Sequence, residues 1–295
     1  MATLAARRTI DWIGLVPYVG LHLGCLAVIW VGWSPVGVAV AAALYFIRMF
    51  AVTAFYHRYF SHRTFRTSRA FQFIGAVMGN SCVQRGPLWW AAHHRHHHRH
   101  SDDVEDIHSP RQIGFFWAHM GWFMTQENAV TNFRAVRDLT RYPELVFLDR
   151  HHYIVPALLA FSMYGLGALL EAVAPGLGTS GWQMFVWGFL ISTIVLYHAV
   201  YTINSVAHVI GGRRYETTDD SRNNWVLALL TLGEGWHNNH HYYPGSTRQG
   251  FYWWEIDLTY YGLVALSWVG LVWDLRSPPH AVRERHRRRP AAEPS

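Results

Sequence analysis

Val36–Phe55, VGVAVAAALYFIRMFAVTAF, runs for 20 residues with one charge, Arg48, and passes straight into Tyr56-His57-Arg58-Tyr59-Phe60-Ser61-His62. An α-helix of about 20 apolar residues crosses a bilayer. The stretch therefore reads as a membrane span that delivers two histidines at its end. Ser34-Pro35 makes a turn in front of it, and Ile13–Trp33 is an earlier apolar run without charge. Two spans joined so closely form a hairpin, which returns His57 to the side of the N-terminus. Tyr153–Val173 and Trp182–Ile203 repeat the pattern around the turn at 174–181.

Composition agrees with four spans in one domain, residues 1–295. Apolar residues make up 51% of the chain and charged ones only 15%, with 15 Trp and 15 Tyr suited to membrane–water interfaces. The basic residues are all Arg. The turns at 34–35 and 174–181 contain none, whereas the arm with Arg7 and Arg8, the central segment and the tail hold nearly all. That asymmetry marks the cytosolic side of a bacterial-type membrane and places the histidines there. The net charge of +6 is no nucleic-acid signal, because the densest basic run, Arg283–Arg289, lies beside apolar segments. It suits anionic lipid headgroups. Phe71–Val83, Ile113–Met124 and Phe251–Trp273, the last with Glu255 and Asp257 in its first turns, read as interfacial helices. Residues 276–295 are expected to be a basic, disordered tail. Cys25 and Cys82 predict no disulfide and no iron–sulfur centre, so electrons must come from another protein.

Two more histidine groups follow the first, with spacing HxxHH: His94, His97, His98 and His237, His240, His241. Residues three or four apart share a helix face, so each group aims at least two rings at one point. Neutral imidazole ligates iron, zinc and copper. Eight rings exceed what one tetrahedral zinc uses. They suit two metals with about four or five ligands each.

The stretches TAFYHRYFSHRTF, WWAAHHRHHHRHSD, GFFWAHMGW, NSVAH and GEGWHNNHHYYP, in that order between residues 50 and 250, resemble membrane fatty-acid desaturases of the stearoyl-type, delta-9 branch. The resemblance implies an all-α integral membrane protein, with four spans and a cytosolic helical cap around a non-haem di-iron centre. It implies His57, His62, His94, His97, His98, His237, His240 and His241 as ligands, His208 as a ninth, and Asn204 as a ligand through water. The residues themselves agree, since Asn204 and His208 stand four apart on one expected helix face at the end of the fourth span. Asp102, Asp106 and Glu234 are candidates to orient imidazole N–H groups, and Asp103 reads as a solvated surface acid. His93, His96 and His100 fall outside the ligand phase, His22 and His198 read as packed polar residues within spans, and His119, His151 and His152 as interfacial.

The resemblance further implies an O2-dependent desaturation of a saturated acyl chain, two irons that recombinant protein can exchange for zinc, and an external electron donor of the ferredoxin or cytochrome b5 type. Acyl-CoA enzymes of the branch carry an Arg where this chain has Ala92, and basic residues where FMTQENAV follows Gly121-Trp122. The carrier is thus open between acyl-CoA and acyl-lipid. Arg85 and Trp90 are candidate substrate contacts. Tyr45 lies about 18 Å from His57 along the second span and is a candidate tunnel end, against packing on a neighbouring span or facing lipid. A hydroxylase or ketolase of the same superfamily, and a zinc hydrolase, are the rival readings. Arg48, a charge inside a span, demands a partner.

Overall fold

The computed structural model describes residues 9–285 and Arg287; Arg7, Arg8 and most of the last dozen residues lie outside. Four helices are long and apolar enough to cross a membrane: α1 (Trp12–Val31), α2 (Pro35–Ser61), α5 (Ile154–Val173) and α6 (Gly181–His208). Between α2 and α5 stand α3 (Arg69–Asn80) and α4 (Pro87–His100), followed by short turns and Pro143–Arg150. After α6 come α7 (His237–Tyr242) and α8 (Leu258–Trp268).

The four long helices are organised around α6. Its Leu190 lies where a side chain on Gly24 of α1 would stand, 3.0 Å from an added Cβ. Gln183 donates to Val31 O at 2.9 Å. Gly167 of α5 approaches so closely that a Cβ would sit 2.3 Å from Ser180 O, so only glycine fits. Met163, Met184, Phe189 and Leu190 fill the seam. From α2, Arg48 reaches across to α6: its guanidinium donates to Ser192 Oγ at 2.6 Å and Thr193 Oγ1 at 2.8 Å, and to Ser81 O at 3.3 Å. That accounts for the charge the sequence left without a partner.

Several sequence expectations are revised. Phe251–Trp273 is not one interfacial helix. Glu255 and Asp257 are fully buried, the helix covers only Leu258–Trp268, and Val272–Trp273 pairs antiparallel with Arg66–Thr67. Ile113–Met124 breaks at Gly114, whose φ is +82°, and resumes as a π-turn over Trp117–Gly121. The tail is ordered as far as it is described. His280–Glu284 is helical, and Tyr215 and Tyr242 donate to Arg283 O and Arg285 O at 3.0 and 2.8 Å. Burial of Tyr215 is what holds it.

Candidate metal centre

The last ten residues of α2, Val52–Ser61, wind as a π-helix, in which residue i bonds residue i+5. His62 N–H donates to His57 O at 3.3 Å. An α-helix would set residues five apart about 140° from one another around the axis. The wider turn instead brings the His57 and His62 rings to 4.9 Å between centroids. The second box lies on α4, which begins at Pro87, where a missing N–H costs nothing. Asp149 accepts from the Leu88 and Trp89 N–H groups at 3.0 and 2.7 Å and fixes that end. The third box follows a tight loop in which Gly233 takes φ +129°.

The nine histidines fall into two groups. His57, His62, His94, His98 and His240 form one, and His97, His208, His237 and His241 the other, with the ligand atoms of each within 4.8 Å of one another. Each HxxHH box is divided. His94 and His98, one helical turn apart, join the first group, and His97 between them joins the second. In α7 the turn-spaced pair His237 and His241 joins the second, and His240 the first.

Carboxylates stand behind the rings. His97 Nδ1 donates to Asp106 at 3.0 Å, His208 Nδ1 to Asp102 at 2.8 Å, and His241 Nδ1 to Asp219 at 2.6 Å. His57 Nδ1 contacts Glu234. An imidazole that gives its Nδ1 proton outward turns an Nε2 lone pair inward. The inward nitrogens crowd: His57 and His240 Nε2 are 3.0 Å apart, His62 and His94 2.8 Å, and His208 and His237 3.0 Å. His241 Nε2 is buried without a partner. Lone pairs so placed repel one another unless a cation lies among them, so the residues fit a two-metal centre of five and four imidazoles. Burial, then the neighbouring rings, hold His62, His94, His98, His237 and His240 well below the ordinary imidazole range. Burial brings His241 down to about 4. Burial acts on His97 too, but Asp106 outweighs it and leaves that ring raised. Neutral rings are the form that binds metal.

Asp102 adopts φ +61°, a strained conformation for a residue with a side chain, held by its bonds to His208 and to Asp220 N–H at 2.8 Å. Asp103 is exposed, as expected. Asp219, Gln249, which reaches His57 Nδ1 at 3.3 Å, and His108, whose ring lies 4.2 Å from that of His97, escaped the sequence reading. Nothing in their spacing ties them to the boxes. His93 and His96 bond the carbonyls of Trp89 and Glu105, and His100 the Glu105 carboxylate, all outside the groups.

Asn204 and His208 do not share one helix face. The helix ends at Asn204, Ser205 departs to φ −107° and ψ −70°, and Val206–His208 form a tighter turn. His208 joins the second group, while Asn204 faces a cavity. That cavity measures about 710 Å³, and Tyr18, Arg85, Trp90, His94, Tyr201 and Asn204 are among its lining. A member of the first group, His94, is thus part of its wall. Arg85 sits 3.7 Å from the Asp11 carboxylate and donates to Ala129 O at 2.9 Å. Tyr45 is not in the lining; its hydroxyl donates to Leu230 O at 2.6 Å, the packing alternative of the sequence reading.

Bilayer-length helices, three histidine boxes joined into two nitrogen-only groups, and an apolar cavity bordering one of them define a membrane metalloprotein class that acts on long apolar substrates. Comparison with known proteins narrows it. Residues 31–268 match the model of the fatty acid desaturase family. The chain is similar to the sn-1 stearoyl-lipid 9-desaturase of Anabaena variabilis, 34% identical over 92% of this chain and 96% of the relative. It is equally similar to the Synechocystis sp. protein of the same name, over 92% and 82%. The acyl-CoA C20 Delta5-desaturase of Anemone leveillei is 35% identical over 88% and 80%. The chain belongs to the fatty acid desaturase family and is an oxidoreductase that desaturates fatty acyl chains.

Proposed function

We propose that the chain places a cis double bond at the delta-9 position of a saturated acyl chain esterified in a membrane lipid, with O2 as oxidant and two irons as metals. The observation that carries this reading is the division of nine histidines into groups of five and four, one of which, through His94, borders the cavity. Two relatives share the substrate position and carrier in their names. The lipid carrier is also favoured over acyl-CoA by charge. Arg85 is a basic residue in the cavity wall already engaged by Asp11 and Ala129, and Ala92 offers nothing to a phosphate.

When bound, the irons supply the oxidising power that removing hydrogen from an unactivated methylene requires. The chain's own residues do the rest. Trp90, stacked on His94 with centroids 5.0 Å apart, presses the acyl chain toward the centre, and Arg85 marks the polar end. Asp102, Asp106, Asp219 and Glu234 hold the ring tautomers, and the apolar wall excludes water. Asn204, in the cavity wall, serves the centre through water. The boxes face the cytosol, where a ferredoxin or a cytochrome b5 type donor delivers electrons, and the same nitrogen ligands suit zinc in recombinant protein. Expression in a desaturase-deficient host, with mass analysis of the host lipids, tests this. Acyl chains lighter by two hydrogens and two irons per active chain are expected. A product heavier by one oxygen, or one metal per active chain, overturns it.

A further inference from the structure

Three histidines outside the metal groups form a single row. His22 Nδ1 donates to Tyr18 O at 2.8 Å, and His22 Nε2 faces His198 Nε2 at 3.3 Å. His198 Nδ1 meets His119 Nε2 at 3.0 Å, and His119 Nδ1 meets Ser205 Oγ at 2.9 Å. Ser205 Oγ lies 3.0 Å from Tyr201 O. Three distant stretches of chain supply these groups, from α1, the 113–124 segment and α6. The row runs directly behind the cavity wall. The His22 ring is 4.4 Å from that of Tyr18, the His119 ring is 5.6 Å from that of Tyr201, and Ser205 adjoins Asn204; all three neighbours line the cavity.

His198 uses opposite edges of its ring for its two neighbours, so the nitrogens do not converge as metal ligands would. They form a line of five contacts, and each contact needs one proton. Three neutral rings and one hydroxyl bring four. With Ser205 turned to His119, four contacts are made and the Ser205 hydroxyl no longer reaches Tyr201 O, which keeps its backbone partner Ser205 N–H at 3.2 Å. One added proton turns the Ser205 hydroxyl to Tyr201 O and completes the fifth. The row thus accepts one proton without losing a bond. The rings touch Phe115, Tyr18 and Tyr201. Among the described residues, no carboxylate or guanidinium bonds to them. Burial, then His198, keep His119 below its ordinary range.

We propose that the row His22–His198–His119–Ser205 is a proton relay that serves the cavity end of the metal centre. This rests on the desaturase reading, whose chemistry balances only with protons. A –CH2–CH2– unit, O2, two electrons from a one-electron protein donor and two protons give –CH=CH– and two waters. The acyl chain is oxidised, O2 is reduced, and the protons end in water. His97, His208, His237 and His240 are all at most 4% exposed, so protons need a built route to them. A proton that enters the row shifts along it, and Ser205 hands one on beside Asn204. These residues act through others and are positioning residues for proton delivery.

His198→Gln keeps a polar side chain but cannot relay. In zinc-loaded full-length protein, where metal occupies the ligand rings, nitrogen-15 spectra of labelled histidine read the row without turnover. Wild type is expected to take up one proton shared by His22, His119 and His198, and His198→Gln to leave the other two titrating separately. In the iron enzyme, the variant is expected to lose roughly ten-fold or more of its turnover, to keep its KM, and to recover in added imidazole. Should His198→Gln not fold, His22→Phe carries the same measurements. Independent titration of the three rings in wild type, or full turnover with an unchanged solvent-deuterium effect in either variant, overturns the relay. If wild type forms no double bond, the desaturase reading fails, while the one-proton uptake is still decided by its own spectrum.

Discussion

Arg48 and Arg58 stand ten positions apart on α2, both almost fully buried, and they are stabilised differently. Arg58 bonds Asp257 at 2.9 Å, Glu234 at 3.1 Å and Thr247 O at 2.9 Å, joining the first box to the loop before the third and to α8. Removing it leaves two buried carboxylates without their guanidinium partner. Arg58→Met is expected to cost about 3–5 kcal/mol, read as a lowered unfolding midpoint. Arg48 touches only neutral oxygens, so Arg48→Met also removes the burial cost of a charge, and a smaller loss is expected. Equal losses in the two variants would contradict this account. Among the rings, His97→Ala, His208→Ala or His240→Ala should abolish desaturation and lower the metal content, whereas His100→Ala should retain much of both. Asp219→Asn should fall between them, losing about 10- to 100-fold in metal affinity or activity, because it only orients His241. The ligand rings were legible because their spacing is local. Asp219 was not, since only the folded chain brings it to a histidine 22 positions away.

Helix geometry decided which sequence patterns could be read at the level of elements. HxxHH follows α-helical spacing, so α4 and α7 were expected to aim at least two rings each at one point, as His94 with His98 and His237 with His241 do, but the division of each box between two groups was not expected. HxxxxH does not follow it, and the π-turn that makes it work leaves no apolar period to detect. The segment is held by close packing. Gly75 and Gly79 of α3 lie against Phe55 and Tyr56, and a Cβ on Gly75 would come 2.0 Å from the Phe55 ring. Gly75→Ala should therefore push the π-segment out of place, at about 1–3 kcal/mol, with loss of metal measurable by elemental analysis. Retained metal in Gly75→Ala would show that α3 does not position the first box. Phe251–Trp273 misled for the opposite reason: its aromatic, apolar composition suits an interfacial helix and a strand equally, and only the burial of Glu255 and Asp257 separates them.

At the scale of the molecule, composition and run lengths made four long apolar helices legible, with boundaries displaced by a few residues. The centrality of α6 was not, because nothing in a run of apolar residues says which neighbour it packs against. The division of the boxes between the two groups has a consequence for how the protein is made. His240 completes the first group and His237 and His241 the second, so neither group has its full ligand set until α7 has been synthesised. A growing chain that already holds His57, His62, His94, His97, His98 and His208 still lacks a ligand at both positions. Full ligation at both positions therefore waits on the same segment, and the two are expected to gain their full metal affinity together. Titration of metal-free protein should show no lasting single-ion species, and a chain stopped before His237, left with four imidazoles of one group and two of the other, should hold metal more weakly than the full chain. A stable one-metal intermediate, seen by native mass spectrometry, would show instead that the two positions fill independently.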